Sequence, residues 1–106
     1  MAIRLPVILA ELRATLERTY HDRLVRVVLY GSQARGDAES GSDIDVLVVL
    51  KSPVQPGEEI ARLGPFLTDL SLTHDTLVSC AFVSEERFRQ ERSPFLMNVR
   101  REGVVV

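Results

Sequence analysis

The fold is decided by two stretches of the sequence, Tyr30-Gly31-Ser32-Gln33-Ala34-Arg35-Gly36 and Ser42-Asp43-Ile44-Asp45-Val46-Leu47-Val48-Val49-Leu50. The first closes a β-branched run that begins at Leu24, and the second is apolar almost throughout; both patterns are typical of short buried strands. Residues 31–42 hold three of the six glycines and no large apolar residue, which predicts a loop. We therefore expect two adjacent strands whose ends meet at a glycine-rich loop.

Helices and further strands surround these two strands. The spacing of apolar residues predicts, in chain order, a helix over 5–20, a helix over 58–72, a strand over 76–83, helices over 85–92 and 94–102, and an edge strand over 104–106. Gly64-Pro65 predicts a kink or short break in the second helix, and Ser84 and Ser93 are predicted N-caps. The order predicts a single domain over residues 1–106 with an α/β (α+β) fold, a small mixed sheet of three to four strands packed against helices.

Composition narrows the classes of function. Lys and Arg total 13 against 15 Asp and Glu, a net charge of −2, which argues against a protein held on nucleic acid mainly by charge. The single cysteine, Cys80, excludes an internal disulfide and a cysteine-rich zinc site. The N-terminal stretch carries charges, unlike a signal peptide, and no window approaches the ~20 apolar residues that span a bilayer. We expect a cytoplasmic protein without a membrane partner.

Two carboxylates open the second strand. Alternate residues of a strand point to the same face, so Asp43 and Asp45 are expected side by side, where like charges repel. A divalent cation removes this conflict, and Mg²⁺ takes oxygen ligands of this kind. Two alternatives stay open: a solvated turn, and a salt bridge from Arg35 to one of the two acids.

The turn Gly31-Ser32 ends the first strand beside these acids. Gly31 lets the backbone bend and a ligand come close, while Ser32 and the N–H groups of the following turn can donate to phosphate oxygens. An ordinary turn is the alternative. Acids for metal ions and donors for phosphate together indicate a nucleoside triphosphate site and nucleotidyl transfer, in which metal ions polarise the α-phosphate and neutralise the leaving pyrophosphate.

The two stretches resemble the signature of the minimal nucleotidyltransferases, members of the polymerase-beta-like superfamily. The match is close from Tyr30 to Leu50, and the element order agrees over nearly the whole chain. The resemblance implies the polymerase-beta-like nucleotidyltransferase fold and a Mg²⁺ centre of two ions, with Asp43 and Asp45 as catalytic residues and metal ligands. It also implies a set of nucleotide-binding residues: Gly31, Ser32, Arg35 and Ser42.

A third carboxylate is expected from the same resemblance, because the family normally carries one on the next central strand. Asp75, at the start of the strand predicted over 76–83, is the acid placed to supply it, as a catalytic residue and metal ligand. The alternative, from the residues themselves, is a turn aspartate or an N-cap that follows the helix predicted over 58–72.

The implied reaction is transfer of a nucleoside monophosphate to a hydroxyl group, with AMP from ATP as the first expectation and another nucleoside triphosphate as the alternative. Larger relatives carry an extra domain that grips the acceptor, so here the acceptor is expected on another protein. By resemblance, that partner is a HEPN-domain ribonuclease toxin whose tyrosine is adenylylated by this chain, its antitoxin. Two other functions stay open: a non-catalytic module that masks a HEPN partner, and an adenylyltransferase of a small molecule such as an aminoglycoside. The sequence leaves the oligomeric state open, a homo-oligomer included.

Overall fold

A computed structural model of the chain describes residues 4–36 and 43–106, without the side chain of Arg4. The described helices are α1 (Arg4–Tyr20), α2 (Ser32–Arg35), α3 (Pro56–His74), α4 (Glu85–Gln90) and α5 (Pro94–Glu102). The described strands are β1 (Leu24–Tyr30), β2 (Ile44–Leu50), β3 (Val78–Ser84) and β4 (Val104–Val105). A 3₁₀ turn, His21–Arg23, joins α1 to β1. These elements follow the predicted order, and α2, one helical turn inside the predicted loop, is the addition.

The four strands of the described residues form one mixed sheet in the order β3-β2-β1-β4. Strand β1 lies antiparallel to both β2 and β4, whereas β2 and β3 are parallel. The parallel pair is connected through α3, the long crossover that parallel neighbours require. Strand β4 pairs with Val28 and Leu29 at one edge, which confirms the edge strand predicted from the apolar tail.

The sheet separates two apolar layers. Because alternate residues of a strand point to opposite faces, β2 is buried on both sides. Val46 and Val48 belong to the layer that includes α1 and α3, whereas Leu47 and Val49 belong to the layer under α4 and α5. Asp45 interrupts this burial at the second position of β2, where it is only partly buried, and Asp43, just before the strand, is exposed. The acid end of β2 is therefore the part of the central strand that the core does not cover.

Serine caps start the two C-terminal helices, as predicted. The Ser84 hydroxyl accepts a hydrogen bond from the N–H of Arg87 at 3.2 Å, and the Ser93 hydroxyl accepts one from the N–H of Leu96 at 3.3 Å. At the other end of α5, a side chain at Gly103 would collide with the Val28 side chain and with the carbonyl oxygen of Val99. Glycine therefore lets the chain turn tightly from α5 into β4.

Three details differ from the sequence prediction. Helix α3 runs through Gly64-Pro65 without the predicted break. The proline removes only one helical hydrogen bond, and buried Leu63 and Leu70 hold the helix against the core on either side of it. Strand β3 begins at Val78 rather than Thr76, since the N–H of Thr76 still bonds the carbonyl of Ser71 at 3.1 Å. Helix α4 is also shorter than the predicted 85–92.

None of the helices over residues 4–36 and 43–106 combines the length and the apolar character that a membrane span requires.

Candidate active site

The two strand-opening acids lie where β1 and β2 meet. Asp45 is the second residue of β2 and pairs across the antiparallel ladder with Tyr30, the last residue of β1. Asp43 stands two positions earlier, at the mouth of the strand, and is exposed. The chain leaves β1 at Gly31, directly after Tyr30, so the glycine turn and the acids share one end of the sheet. This juxtaposition is the one that the sequence pattern predicted.

Electrostatics set Asp45 apart from an ordinary surface carboxylate. Burial, and then repulsion from the Asp43 carboxylate, raise the pKa of Asp45 above its usual value. Among residues 4–36 and 43–106, neither acid lies within salt-bridge distance of a Lys, Arg or His side chain whose position is described. Two neighbouring carboxylates that have no described Lys, Arg or His side chain nearby form an anionic site. A bound metal cation would neutralise its negative charge.

Gly31 is held against Asp45 in a backbone conformation that favours glycine. Its φ is 77°, and a Cβ placed on it would lie 3.0 Å from Oδ2 of Asp45. Any other residue would therefore be strained and would also push against the carboxylate. After Gly31, the chain forms α2, in which the N–H of Ala34 and the N–H of Arg35 both bond the carbonyl of Gly31, at 3.1 and 3.2 Å. Ser32 opens this helical turn and is partly buried.

Arg35, the last residue of α2, forms an ion pair with Glu102 at the end of α5, with 3.7 Å between Nη1 and Oε2. The predicted alternative was a salt bridge from this arginine to Asp43 or Asp45, and the described ion pairs contain no such bridge. Both partners are well exposed, so their attraction is weak. Ser42, predicted as a further nucleotide-binding residue, lies outside the described residues.

Asp75 follows the last turn of α3, three positions before β3 begins. It is the C-cap of α3, with a left-handed backbone (φ 52°, ψ 44°), and its N–H bonds carbonyls of the last helical turn. The sequence left a turn aspartate or an N-cap as the alternative; the structure places Asp75 in a turn, where it caps the C-terminal end of α3. Among the described residues, no group of three His, Cys, Asp or Glu side chains is close enough to hold a metal ion. The placement of Asp75 therefore adds no support to its predicted role as a third ligand.

The register of the sheet identifies two residues that the sequence pattern did not single out. In the parallel pair, Ser79 of β3 stands opposite Asp45, at the position where the next central strand faces the acids. On the other side, Tyr30 stands opposite Asp45 and shares its face of the sheet. Burial, and then the Asp45 carboxylate, raise the pKa of the Tyr30 phenol. The sequence shows both residues as ordinary strand members, and only the strand register places them beside the acids.

The donor set fits a hard divalent cation. Asp43 and Asp45 offer carboxylate oxygens, the ligands that Mg²⁺ prefers, and two such ligands leave coordination positions for water and phosphate oxygens. The two carboxylates repel each other, and a divalent cation bound between them would relieve this repulsion. Cys80 is mostly buried, and burial raises the pKa of its thiol to about 12, so it offers no thiolate for a softer metal.

Comparison with known proteins gives a consistent result. A family model described as the nucleotidyltransferase domain matches residues 9–101. Two proteins of Methanocaldococcus jannaschii, each named provisionally as a protein adenylyltransferase, are similar in sequence. One is 35% identical over 72 residues, which cover 68% of this chain and 72% of the relative. The other is 32% identical over 93 residues, which cover 86% of each chain.

Two solved structures are similar in shape. A protein of Sulfolobus solfataricus, named provisionally as a nucleotidyltransferase, gives a TM-score of 0.69 at 21% identity, over 98% of this chain and 80% of that one. A toxin–antitoxin crystallised with AMP-PNP gives a TM-score of 0.60 at 23% identity, over 87% of this chain and 67% of that one. At these identities, the likeness establishes a shared fold.

Proposed function

The chain belongs to the nucleotidyltransferase domain family, and we propose that its reaction is the Mg²⁺-dependent transfer of AMP from ATP to a hydroxyl group of a protein partner. The polymerase-beta-like fold expected from the sequence is confirmed by the likeness to the Sulfolobus solfataricus structure. The choice of AMP and of a protein acceptor is supported by the two Methanocaldococcus jannaschii relatives, which carry the name protein adenylyltransferase.

One observation carries the proposal. Asp43 and Asp45 repel each other at the mouth of β2, beside a glycine whose missing side chain leaves Oδ2 of Asp45 uncovered. These two carboxylates would hold Mg²⁺. When bound there, Mg²⁺ would polarise the α-phosphate of ATP and neutralise charge on the leaving pyrophosphate. Removal of either carboxylate therefore removes both the ion and the reaction.

The glycine turn and α2 are proposed to hold the triphosphate. Ser32 contributes its hydroxyl and its N–H at the start of α2, next to the acids. Arg35 has a planar guanidinium suited to phosphate oxygens, and its weak, exposed pair with Glu102 lets a triphosphate replace the glutamate. Ser42 remains a predicted member of this set. Together these groups orient the α-phosphate toward the acceptor and exclude unproductive poses.

The acceptor is proposed to be a tyrosine hydroxyl of a HEPN-domain toxin. The toxin–antitoxin that shares this fold supports a toxin as partner, whereas the HEPN class comes from the family resemblance alone; AMP-PNP, the ligand named with that structure, is an ATP analogue. In the transfer, the tyrosine oxygen forms a bond to the α-phosphorus, the bond from that phosphorus to the β-phosphate bridging oxygen breaks, and pyrophosphate leaves. The hydroxyl proton passes to solvent or to an acid of the site.

Label transfer tests this reaction. The purified chain is incubated with Mg²⁺, a candidate HEPN protein and ATP labelled at the α- or the γ-phosphate. Label from the α-phosphate alone is expected on the partner, and Asp43→Asn and Asp45→Asn should each reduce transfer by at least about 100-fold, because each removes a ligand of the ion. Asp69→Asn, an exposed acid of α3 outside the site, is the matched control and should leave the rate unchanged.

The same assay decides the role of Asp75. If Asp75→Asn lowers the rate as far as Asp45→Asn does, Asp75 reaches the reacting groups during catalysis. If it changes only stability, Asp75 acts as the cap of α3. Transfer of γ-label, or undiminished transfer of α-label by both Asp43→Asn and Asp45→Asn, contradicts the proposed reaction.

A non-catalytic role is the second candidate, and one observation favours it. The described residues hold no three-acid cluster, and β3 presents Ser79 where the next strand faces Asp45. A chain of this kind would mask its toxin partner without transferring AMP. Partner binding that survives Asp43→Asn and Asp45→Asn, with no α-label transferred by the native chain, would select this function over the enzymatic one.

A further inference from the structure

An aromatic pair lies beside the acid pair. The rings of Tyr30 and Phe95 meet edge to face, with 5.3 Å between their centroids and 84° between their planes. Phe95 stands in the first turn of α5, where the cap from Ser93 and the proline at position 94 fix the start of the helix. This contact joins the last residue of β1 to the helix that covers the acid face of the sheet.

The position of Tyr30 places the pair close to Asp45. Directly opposite residues of an antiparallel ladder have Cβ atoms about 4.5–5.5 Å apart on the same face. Phe95 contacts the ring of Tyr30 and is therefore linked to Asp45 through that one side chain. The aromatic pair forms an apolar wall on the acid face, next to the turn that starts at Gly31.

Packing of α5 does not explain why Phe95 is exposed. Leu96 and Val99 anchor this helix in the core, at 1% and 3% exposure, whereas Phe95 keeps 44% of its surface accessible. Exposed aromatic surface costs free energy that a polar residue at this position would avoid. The ring is supported by Tyr30 from below and is open toward solvent, the arrangement of a stacking surface.

We propose that Phe95, supported by Tyr30, is the surface on which the base of the bound nucleotide stacks. The inference rests on the proposed function, since it places the nucleotide's phosphates at Gly31, Ser32 and the acids. The uncharged part of the nucleotide then faces the apolar wall beside them. Every base has a π-face, so the contact favours nucleotides over inorganic phosphates and discriminates little between bases. Phe95 is a positioning residue and takes no part in the chemistry.

Nucleotide binding with and without a base tests the proposal. Dissociation constants for ATP, CTP and inorganic tripolyphosphate are measured by calorimetry with Mg²⁺ on the native chain and on Phe95→Ala, Phe95→Leu and Phe95→Trp. Phe95→Ala should raise Kd for ATP and CTP by about tenfold and leave Kd for tripolyphosphate unchanged. Phe95→Leu keeps the apolar bulk and should lose most of the affinity as well, whereas Phe95→Trp should retain it.

Met97→Ala is the matched control, because Met97 is 51% exposed on the same helix, two positions after Phe95. It should bind all three ligands as the native chain does. Equal Kd values for ATP in the native chain and Phe95→Ala overturn the stacking role, and so does an equal loss for tripolyphosphate. A native chain that binds neither ATP nor CTP contradicts the proposed function itself, so the two failures are distinguishable.

Discussion

Two carboxylates of this chain, the buried Glu59 and the partly buried Asp45, differ in the charge of their neighbours. Glu59 of α3 is 3% exposed, yet it accepts a hydrogen bond of 2.7 Å from the Tyr20 hydroxyl. The guanidinium groups of Arg23 and Arg62 each approach it to 3.7 Å. Asp45 is less buried, but its nearest described charge is another carboxylate, Asp43.

The two acids therefore differ in their partners as well as in their burial. Burial of a charge is tolerated when the protein supplies hydrogen bonds and opposite charges, as it does for Glu59. Where the described side chains supply no opposite charge, as at Asp45, a bound cation would supply it, and the repulsion between the carboxylates lowers the stability of the fold while the cation is absent. Burial alone would single out Glu59 as the acid whose charge lacks compensation, although Glu59 has two arginine partners and Asp45 has no described cation within salt-bridge distance. The neighbours distinguish Asp45, for which we propose a metal-binding role, from Glu59.

The largest effect on stability is expected from Glu59→Ala. The change leaves the buried Tyr20 hydroxyl without its acceptor and two arginines without their partner, at a cost of about 2–4 kcal/mol. The free energy of unfolding in urea measures this loss. Glu58→Ala, an exposed acid one position earlier on α3, is the control and should change stability little. Equal losses for the two variants would show that the Glu59 cluster contributes nothing specific.

A smaller loss, about 1 kcal/mol at neutral pH, is expected from Tyr20→Phe, which removes one buried hydrogen bond. This loss should depend on pH. Burial, then the bond to Glu59, raise the pKa of Tyr20 above its ordinary value of 10.0, so the folded state keeps its proton while the unfolded chain releases it. The native chain therefore loses stability as pH rises above 10.0, and the variant does not lose this contribution. Urea unfolding at neutral and alkaline pH should show the difference shrinking; a constant difference contradicts the assignment.

The smallest effect is expected from Asp45→Asn, and its sign is opposite. Removing one of two like charges should stabilise the fold by about 0.5 kcal/mol without Mg²⁺. Because the pKa of Asp45 is raised, the folded state binds more protons, and stability falls as pH rises through the titration of this acid. The gain should therefore be present at neutral pH and vanish in acid. Thermal unfolding with and without Mg²⁺ measures both the gain and the lost response to the ion. Asp69→Asn is the control, and a destabilised Asp45→Asn would place Asp45 with Glu59 as a structural acid.

Much of the architecture was predictable because its signals are local. Apolar spacing located α1, β1 and β2, and the serines at 84 and 93 marked the starts of two helices. The acids at 43 and 45 stood out because they interrupt an otherwise apolar strand. Gly31 could be expected at the turn, but its closeness to Asp45 depends on how β1 and β2 pair.

Other features had no local signal. Tyr20 counted as one more apolar position of α1, and nothing in the sequence connects it to Glu59, 39 positions away. Phe95 and Tyr30 are further apart still in the chain and meet only because α5 returns over the acid face. Asp75 was expected at the start of a strand, and only the folded chain shows that it lies in the left-handed turn that ends α3; its role as a third carboxylate stays a prediction.

The sequence by itself determined the elements, their order and the presence of two acids beside a glycine turn, since those depend on residue types at short spacing. Folding is what gives some charges their partners and brings Tyr30, with Phe95 against it, opposite Asp45. Such contacts depend on strand register and helix packing, which join residues far apart in the chain. Local patterns carry no record of those distances, and for that reason the difference between Glu59 and Asp45 appears only in the folded molecule.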